Sequence, residues 1–178
     1  EALGPDPPDV AASLDNLALL YTAQGKYTAA EPLFERALVI HGRALGPDHP
    51  SVAQSLNGLA ELYRAQGKYA AAEPLYQRAL AIREKALGPE HPDVAMSLHN
   101  LALLYKAQGR YSEAEPLYQQ ALAIFEKALG PDHSHVATSL ARYAALLRKT
   151  GRSAEATRME ARAKAIRARH RSEEHTSE

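Results

Sequence analysis

The 178-residue sequence contains no cysteine and no tryptophan, and only two methionines and two phenylalanines. Without cysteine there can be no disulfide scaffold, no thiolate zinc site and no cysteine nucleophile. No apolar run approaches the ~20 residues that a membrane-spanning helix needs. The opening stretch EALGPDPPDV carries neither the basic segment nor the apolar segment of a secretory leader. These absences lead us to expect a cytoplasmic protein that makes no membrane contact. Catalytic signatures are missing as well: there is no Gly-rich phosphate loop, no H-E-x-x-H and no nucleophile elbow. No net charge remains either, since 21 Lys and Arg balance 21 Asp and Glu. An even mixture of those charges would disfavour bulk binding to nucleic acid. What is present is a 46% hydrophobic composition, enough for a core and too much for wholesale disorder.

The dominant feature is a repeat. Ala-Leu-Gly-Pro begins at Ala2, Ala44, Ala86 and Ala128, a constant period of 42, and residues 44–85 match residues 86–127 at 30 of 42 positions. Units at approximately 2–43, 44–85, 86–127 and 128–169 form one array over residues 1–169, with 170–178 left as a tail. Each unit predicts two helices. In the second, Pro50 opens a helix after the turn Gly46-Pro47-Asp48-His49, and Val52, Leu56, Leu59, Leu62 and Tyr63 recur at helical spacing. Gly67 supplies a left-handed stop, and Tyr69 opens a second helix that carries Ala72, Leu75, Tyr76, Ala79, Leu80, Ile82 and Leu87. Pro74 is expected near its first turn, where a missing N–H costs little. No stretch alternates with period two, so strands are excluded. Ala60, Ala72 and Ala79 recur in phase as Ala18, Ala30 and Ala37 and as Ala102, Ala114 and Ala121, marking close helix approach. A lone helix pair cannot bury its apolar face, so the units must stack.

The pattern Leu56-x2-Leu59-Ala60-x2-Tyr63-x3-Gly67-x-Tyr69-x2-Ala72-x3-Tyr76-x2-Ala79 resembles the tetratricopeptide repeat. The 42-residue period, the ALGPDHP linker and the Ala-Glu-Pro-Leu of the second helix are similar to the kinesin-light-chain variety of that repeat. The resemblance implies an all-α fold, a right-handed α-solenoid of stacked antiparallel helix pairs. It does not extend to a motor subunit, because the chain has no long heptad segment of the kind by which kinesin light chains join their motor.

The ends depart from the pattern. Ser153 stands where earlier units have Tyr27, Tyr69 and Tyr111, and Glu160 where they have Phe34, Tyr76 and Tyr118. The last helix, expected at about 154–169, is rich in Arg with a thin apolar side of Ala156, Met159, Ala163 and Ile166, as a solenoid cap requires. Residues 1–4 match the end of a second helix, so the array is expected to continue before them. Residues 171–178, RSEEHTSE, resemble the in-frame translation of a sequencing-library adapter and are expected to be foreign. With that tail set aside the charge is uneven: residues 1–141 carry 11 basic and 16 acidic groups, residues 142–170 nine and two.

Candidate chemistry is sparse. His49, His91 and His133 share one phase, but ligands one repeat apart are on the order of 10 Å apart, too far to share a zinc ion. They are expected to be turn residues at helix starts, so neither a metal nor a cofactor is predicted. Ser55, Ser97 and Ser139 repeat as packing positions, and Glu31, Glu73 and Glu115 are expected to support helix starts. The tyrosines repeat on core phases. Variation instead concentrates on the first helices, which in arrays of the resembled kind line a concave groove. The groove positions are Asp15, Asn16, Leu19 and Thr22 in the first unit and Gln54, Asn57, Glu61 and Arg64 in the second. The third has His99, Asn100, Leu103 and Lys106, and the fourth Thr138, Arg142 and Arg148. Asn16, Asn57 and Asn100 resemble the groove asparagines that bracket a peptide backbone in related arrays, since an amide both donates and accepts. Leu19 and Leu103 could hold an apolar anchor, while Lys106, Arg142 and Arg148 suit an acidic side chain or a terminal carboxylate.

The expected function is therefore a non-enzymatic scaffold that binds a protein or an extended, acidic peptide in its groove. Two alternatives remain open. One is a regulatory or sensor arm contacting other domains of its own full-length chain. The other is acidic-surface or nucleic-acid contact through the last helix, disfavoured because its arginines lack interleaved aromatics.

Overall fold

The computed structural model describes residues 6–176 of the chain. The expected earlier helix end at residues 1–4, and the last two tail residues, lie outside them. Eight helices run in order: α1 Pro8–Ala23, α2 Tyr27–Leu45, α3 Pro50–Ala65, α4 Tyr69–Leu87, α5 Pro92–Ala107, α6 Tyr111–Leu129, α7 Ser134–Lys149 and α8 Ser153–Thr176. No strand occurs among the described residues. The architecture is an all-α repeat solenoid. The chain divides into two compact units, Glu1–Pro89 and Glu90–Glu178, each holding two helix pairs.

Local chemistry fixes the boundaries. His49 caps α3 by accepting the Ser51 amide on Nδ1 at 3.1 Å. His91 does the same for Asp93 at 3.0 Å, and His133 for His135 at 3.1 Å. The phased histidines thus satisfy orphan N–H groups at helix starts, and Pro50 and Pro92 follow them in the first turn. Gly67, at φ +74°, ends α3 and turns the chain so that Lys68 N–H reaches Tyr63 O at 2.8 Å. Gly88, at φ +89° and ψ 156°, ends α4 in a region essentially closed to other residues. Pro74 differs from expectation. It is the sixth residue of α4, inside the helix rather than in its first turn, so one amide–carbonyl bond is forfeited there.

In the first unit, α2 packs on both α1 and α3. Ala18 and Ala30 are fully buried with Phe34, Leu59 and Leu62, flanked by Tyr21, Tyr27, Leu33, Tyr63 and Leu75. A second cluster joins Val52, Ala53, Leu56, Ala79 and Ile82. Gly58 explains the closeness of α2 and α3, because a Cβ there would stand 2.4 Å from Phe34 Cε1. Tyrosine also ties the pairs together: Tyr63 donates its hydroxyl to Glu31 at 2.7 Å. Glu31, expected to support its helix start, is the fifth residue of α2 and lies beyond the first turn, so it braces Tyr63 instead. Burial, reinforced by that carboxylate, pushes the Tyr63 hydroxyl up to about 12.

In the second unit, Tyr118 is buried and stacks on Tyr143 at 6.3 Å. Tyr143 in turn donates to Glu115 at 2.8 Å. The last helix keeps its thin apolar side, with Ala156, Ala163 and Ile166 buried and Met159 half-buried. Arg152, just ahead of it, and two of its own arginines dock it. Arg152 bonds Glu115 and Glu155, Arg162 reaches Glu126 at 2.8 Å, and Arg169 reaches Asp132 at 2.9 Å. α8 also runs past the expected residue 169 to Thr176. The sequence RSEEHT offers no Gly or Pro to stop it, and its residues are exposed.

Candidate functional site

In the first unit, α1 and α3 present the candidate face. Asn16 is exposed, and Leu19 is 43% exposed. Arg64 is half-buried and forks onto Glu61, whose second contact is the Tyr76 hydroxyl at 3.0 Å. Burial and the Glu61 charge push the Tyr76 hydroxyl well above its usual range, and the Glu61 hydrogen bond raises Arg64. Arg64 is thereby neutralised within its own helix pair.

Two positions named from sequence lie deeper than Asn16. Asp15 is buried, accepting Ser55 Oγ–H at 2.7 Å and lying 3.4 Å from His41 Nε2. Asn57 is half-buried, with its Oδ1 buried and without a hydrogen-bond partner. The phase explains both. A step of 42 from Asn16 lands on Gly58 and then Asn100, whereas Asn57 is in step with Asp15 and His99. The expected asparagine row is thus two rows, one residue and ~100° of helix apart. Asn16 and Asn100 belong to the outer row, and Asn57 to an inner one.

In the second unit, His99 is the main correction. It is only 1% exposed, packed edge-on to Phe125 with ring centroids at 5.5 Å and tilted against Tyr118 at 5.8 Å. Its Nε2 pairs with Ser139 Oγ at 2.8 Å, and its Nδ1 lies 3.4 Å from Arg142 Nη1. An arginine can only donate, so Nδ1 accepts, and Nε2–H donates to the serine. Burial, then the Arg142 and His135 charges, push His99 down to about 4, so it is neutral at pH 7. It cannot meet a ligand; it holds Arg142 in place.

Arg148 is the second correction here. It forks onto Glu160 at 2.7 and 2.6 Å and contacts Thr157, so it turns to α8 and spends its charge there. Asn100, Leu103, Lys106 and Arg142 are half-buried on α5 and α7. Burial and the nearby Lys149 charge pull Lys106 below its usual range. Lys149, exposed on α7, was not a sequence candidate. The signal was available: α5 and α7 carry a single acidic residue, Asp93, at the far end of α5. Among the described residues, Lys106, Arg142 and Lys149 have no carboxylate partner.

Among the described residues, no helix is long and apolar enough to cross a membrane, and no group of three or more His, Asp or Glu is placed to hold a metal ion.

No curated protein sequence matches the chain. Solved structures do. BtubC (BKLC) from P. vanneervenii shares 26% identity over 96% of this chain and 68% of its own, with a TM-score of 0.84. A kinesin-light-chain-type protein of Podosopora anserina with nearly identical TPR-like repeats shares 32% identity over 92% of this chain and 78% of its own, with a TM-score of 0.79. RapI in its apo form shares the fold at 19% identity, over 96% of this chain and 60% of its own, with a TM-score of 0.79. The tetratricopeptide repeat profile matches residues 9–85, 56–127 and 94–169. With these matches spanning nearly the whole sequence, the chain belongs to the tetratricopeptide repeat family.

Proposed function

We propose that this chain is a non-enzymatic protein-interaction scaffold whose α5–α7 face binds an extended acidic peptide segment. The observation that carries the reading is the trio Lys106, Arg142 and Lys149, cationic groups with no carboxylate among the described residues. Lys106 is held below its usual pKa by burial and by a like charge. An anion placed between Lys106 and Lys149 relieves that repulsion, and Arg142, anchored on His99, offers its remaining N–H donors. Asn100 can donate to and accept from a peptide backbone, and half-buried Leu103 can seat an apolar side chain. α8 is a weaker candidate for an acidic surface, because Arg152, Arg162 and Arg169 already hold acidic partners of the chain.

The test is fluorescence anisotropy with labelled acidic peptides and their amide-for-carboxylate counterparts. Lys106→Ala with Arg142→Ala is expected to weaken acidic-peptide binding about 10-fold or more, equivalent to ~1.4 kcal/mol. Affinity that is indifferent to both substitutions and to salt would exclude this face.

A further inference from the structure

The cations of the α5–α7 face stand at two levels. His99 joins the two helices at the first, pairing with Ser139 Oγ at 2.8 Å and lying 3.4 Å from Arg142 Nη1. Seven residues on from His99 stands Lys106, and seven on from Arg142 stands Lys149. Seven residues are two helical turns less ~20°, so each lysine keeps the side of its helix that its predecessor occupies. The two ammonium groups therefore share the second level, one in the last turn of α5 and one at the last residue of α7. The Lys149 charge is felt at Lys106, where it adds to the effect of burial.

The repeat shows what is unusual at this level. In step with Lys106 are Thr22, Arg64 and Arg148, and each arginine holds a carboxylate, Glu61 or Glu160. Both arginines also lie in last turns, so a helix end does not stand in for an acid. Lys106 has Leu103 where Arg64 has Glu61, and Tyr118 where Arg148 has Glu160. In step with Lys149 are three alanines, Ala23, Ala65 and Ala107. Where Arg64 and Arg148 each meet one acid, Lys106 instead meets a second ammonium. The acids of α8 are taken: Glu155 is held by Arg152 and Glu160 by Arg148.

Two neighbouring ammonium groups need an anion of matching charge. A carboxylate brings one negative charge, and so does each phosphodiester of a nucleic-acid backbone. A phosphomonoester brings about −1.5 to −2 charges and three strong acceptor oxygens, and lysine serves it as a point charge. We infer that Lys106 and Lys149 together take the phosphate of a phosphoserine or phosphothreonine, so that the acidic segment proposed above for this face is a phosphopeptide. Arg142, ~10 Å along α7 from Lys149, is left for a carboxylate about three residues away in the same segment. A polyproline II strand covers ~9 Å in three residues and returns to the same side, so one short stretch reaches both levels. Half-buried Leu103, between the levels in sequence, offers a peptide side chain an apolar contact that a sugar-phosphate backbone cannot use.

The test is anisotropy on the full chain with three labelled peptides of one sequence, in which leucines separate a central residue from a glutamate three positions to either side. The central residue is serine, glutamate or phosphoserine. The phosphoserine peptide is expected to bind ~10-fold or more tighter than the glutamate one. Lys149→Ala restores, at an exposed position, the residue of the other three units. It is expected to cut the phosphoserine advantage to ~3-fold or less, and Lys149→Arg to keep most of it. A glutamate peptide that binds through Lys106 and Arg142, with no gain from phosphoserine, overturns the phosphate site and leaves the peptide-binding role standing. If none of the three binds, both fall. An advantage that survives Lys149→Ala overturns the lysine pair as its source. A single-stranded oligonucleotide that displaces the phosphopeptide at a lower concentration than unlabelled phosphopeptide makes nucleic acid the occupant and overturns the inference as well.

Discussion

The two units fill the same place in the repeat with opposite chemistry. In the first, Asp15 sits between Ser55 and His41, a buried carboxylate beside an imidazole. In the second, the matching positions are His99, Ser139 and Phe125, a neutral imidazole against an aromatic ring. The hydrogen bond to a serine 40 residues onward is kept in both, while the charge is not. What the repeat conserves is therefore a demand for one buried hydrogen bond, which identity alone does not reveal. The cost differs between them. Asp15 Oδ1 and His41 Nδ1 are buried without partners, whereas both His99 nitrogens are engaged. The consequence reaches the surface, because His99 can accept from Arg142 and so holds a cation on the α5–α7 face. On the first unit's face, Arg64 is instead neutralised by Glu61.

The largest effect is expected when the first unit is given half of the second's chemistry. His41→Phe removes the imidazole 3.4 Å from the Asp15 carboxylate and is expected to cost ~1–3 kcal/mol at pH 7, because a buried polar group loses a hydrogen-bonding neighbour. Adding Asp15→His completes the transplant of the His99–Phe125 arrangement and is expected to bring stability back to within ~1 kcal/mol of the parent. Equilibrium denaturation of the two variants measures both steps. A harmless single substitution, or a double variant no better than the single, would show that the slots are not equivalent.

Acid separates the units with opposite signs. The folded-state pKa of His99, about 4, lies below its ordinary 6.5. Its contribution to stability is complete above pH 6.5, falls as the pH drops toward 4, and is lost below that. The amount is ~3 kcal/mol. Asp15 behaves the other way. Burial is the largest influence on its carboxyl and raises it, opposed by Ser55 and His41. Its contribution is present below the ordinary carboxylate range and disappears as the pH rises through the raised value, so at neutral pH it is a cost. His99→Gln is expected to flatten the acid loss of stability between pH 6.5 and 4, and Asp15→Asn to steepen it while stabilising the chain at pH 7. Parallel pH profiles for the two variants would contradict the assignment.

Much of the fold was legible because its determinants are local and repeated. The 42-residue step, Gly67 and its counterparts, the alanine phases and the Pro-led helix starts place the helices closely, and the polar last helix marks itself as a cap. The face was less legible. Which of two adjacent polar residues points outward depends on ~100° of rotation, and aligning Asn57 with Asn16 was a one-residue slip that the serine row could have corrected. His99 and Asp15 look like surface residues because they vary, yet they vary inside a slot where any hydrogen-bonding group serves. Charge availability was legible only in the scarcity of acidic residues on α5 and α7. Arg64, Arg148 and Lys106 occupy one phase, and only the folded structure separates those already paired from the one left over.

That phase supplies the mildest and sharpest contrast. Arg148 is exposed and bound to Glu160, so its loss removes a solvent-screened pair of the kind that seldom contributes measurably. Arg148→Ala is expected to leave the denaturation midpoint unchanged. It is also expected to leave acidic-peptide affinity unchanged, since the guanidinium faces α8 rather than the open face. Lys106→Ala, one repeat earlier in step, is expected to weaken the same peptide severalfold, because among the described residues that ammonium has no carboxylate partner. Measured together in one titration series, the pair separates two accounts of the basic C-terminal region. If the arginine and the lysine matter equally, affinity follows net positive charge; if only the lysine matters, it follows which cation the fold has left unpaired.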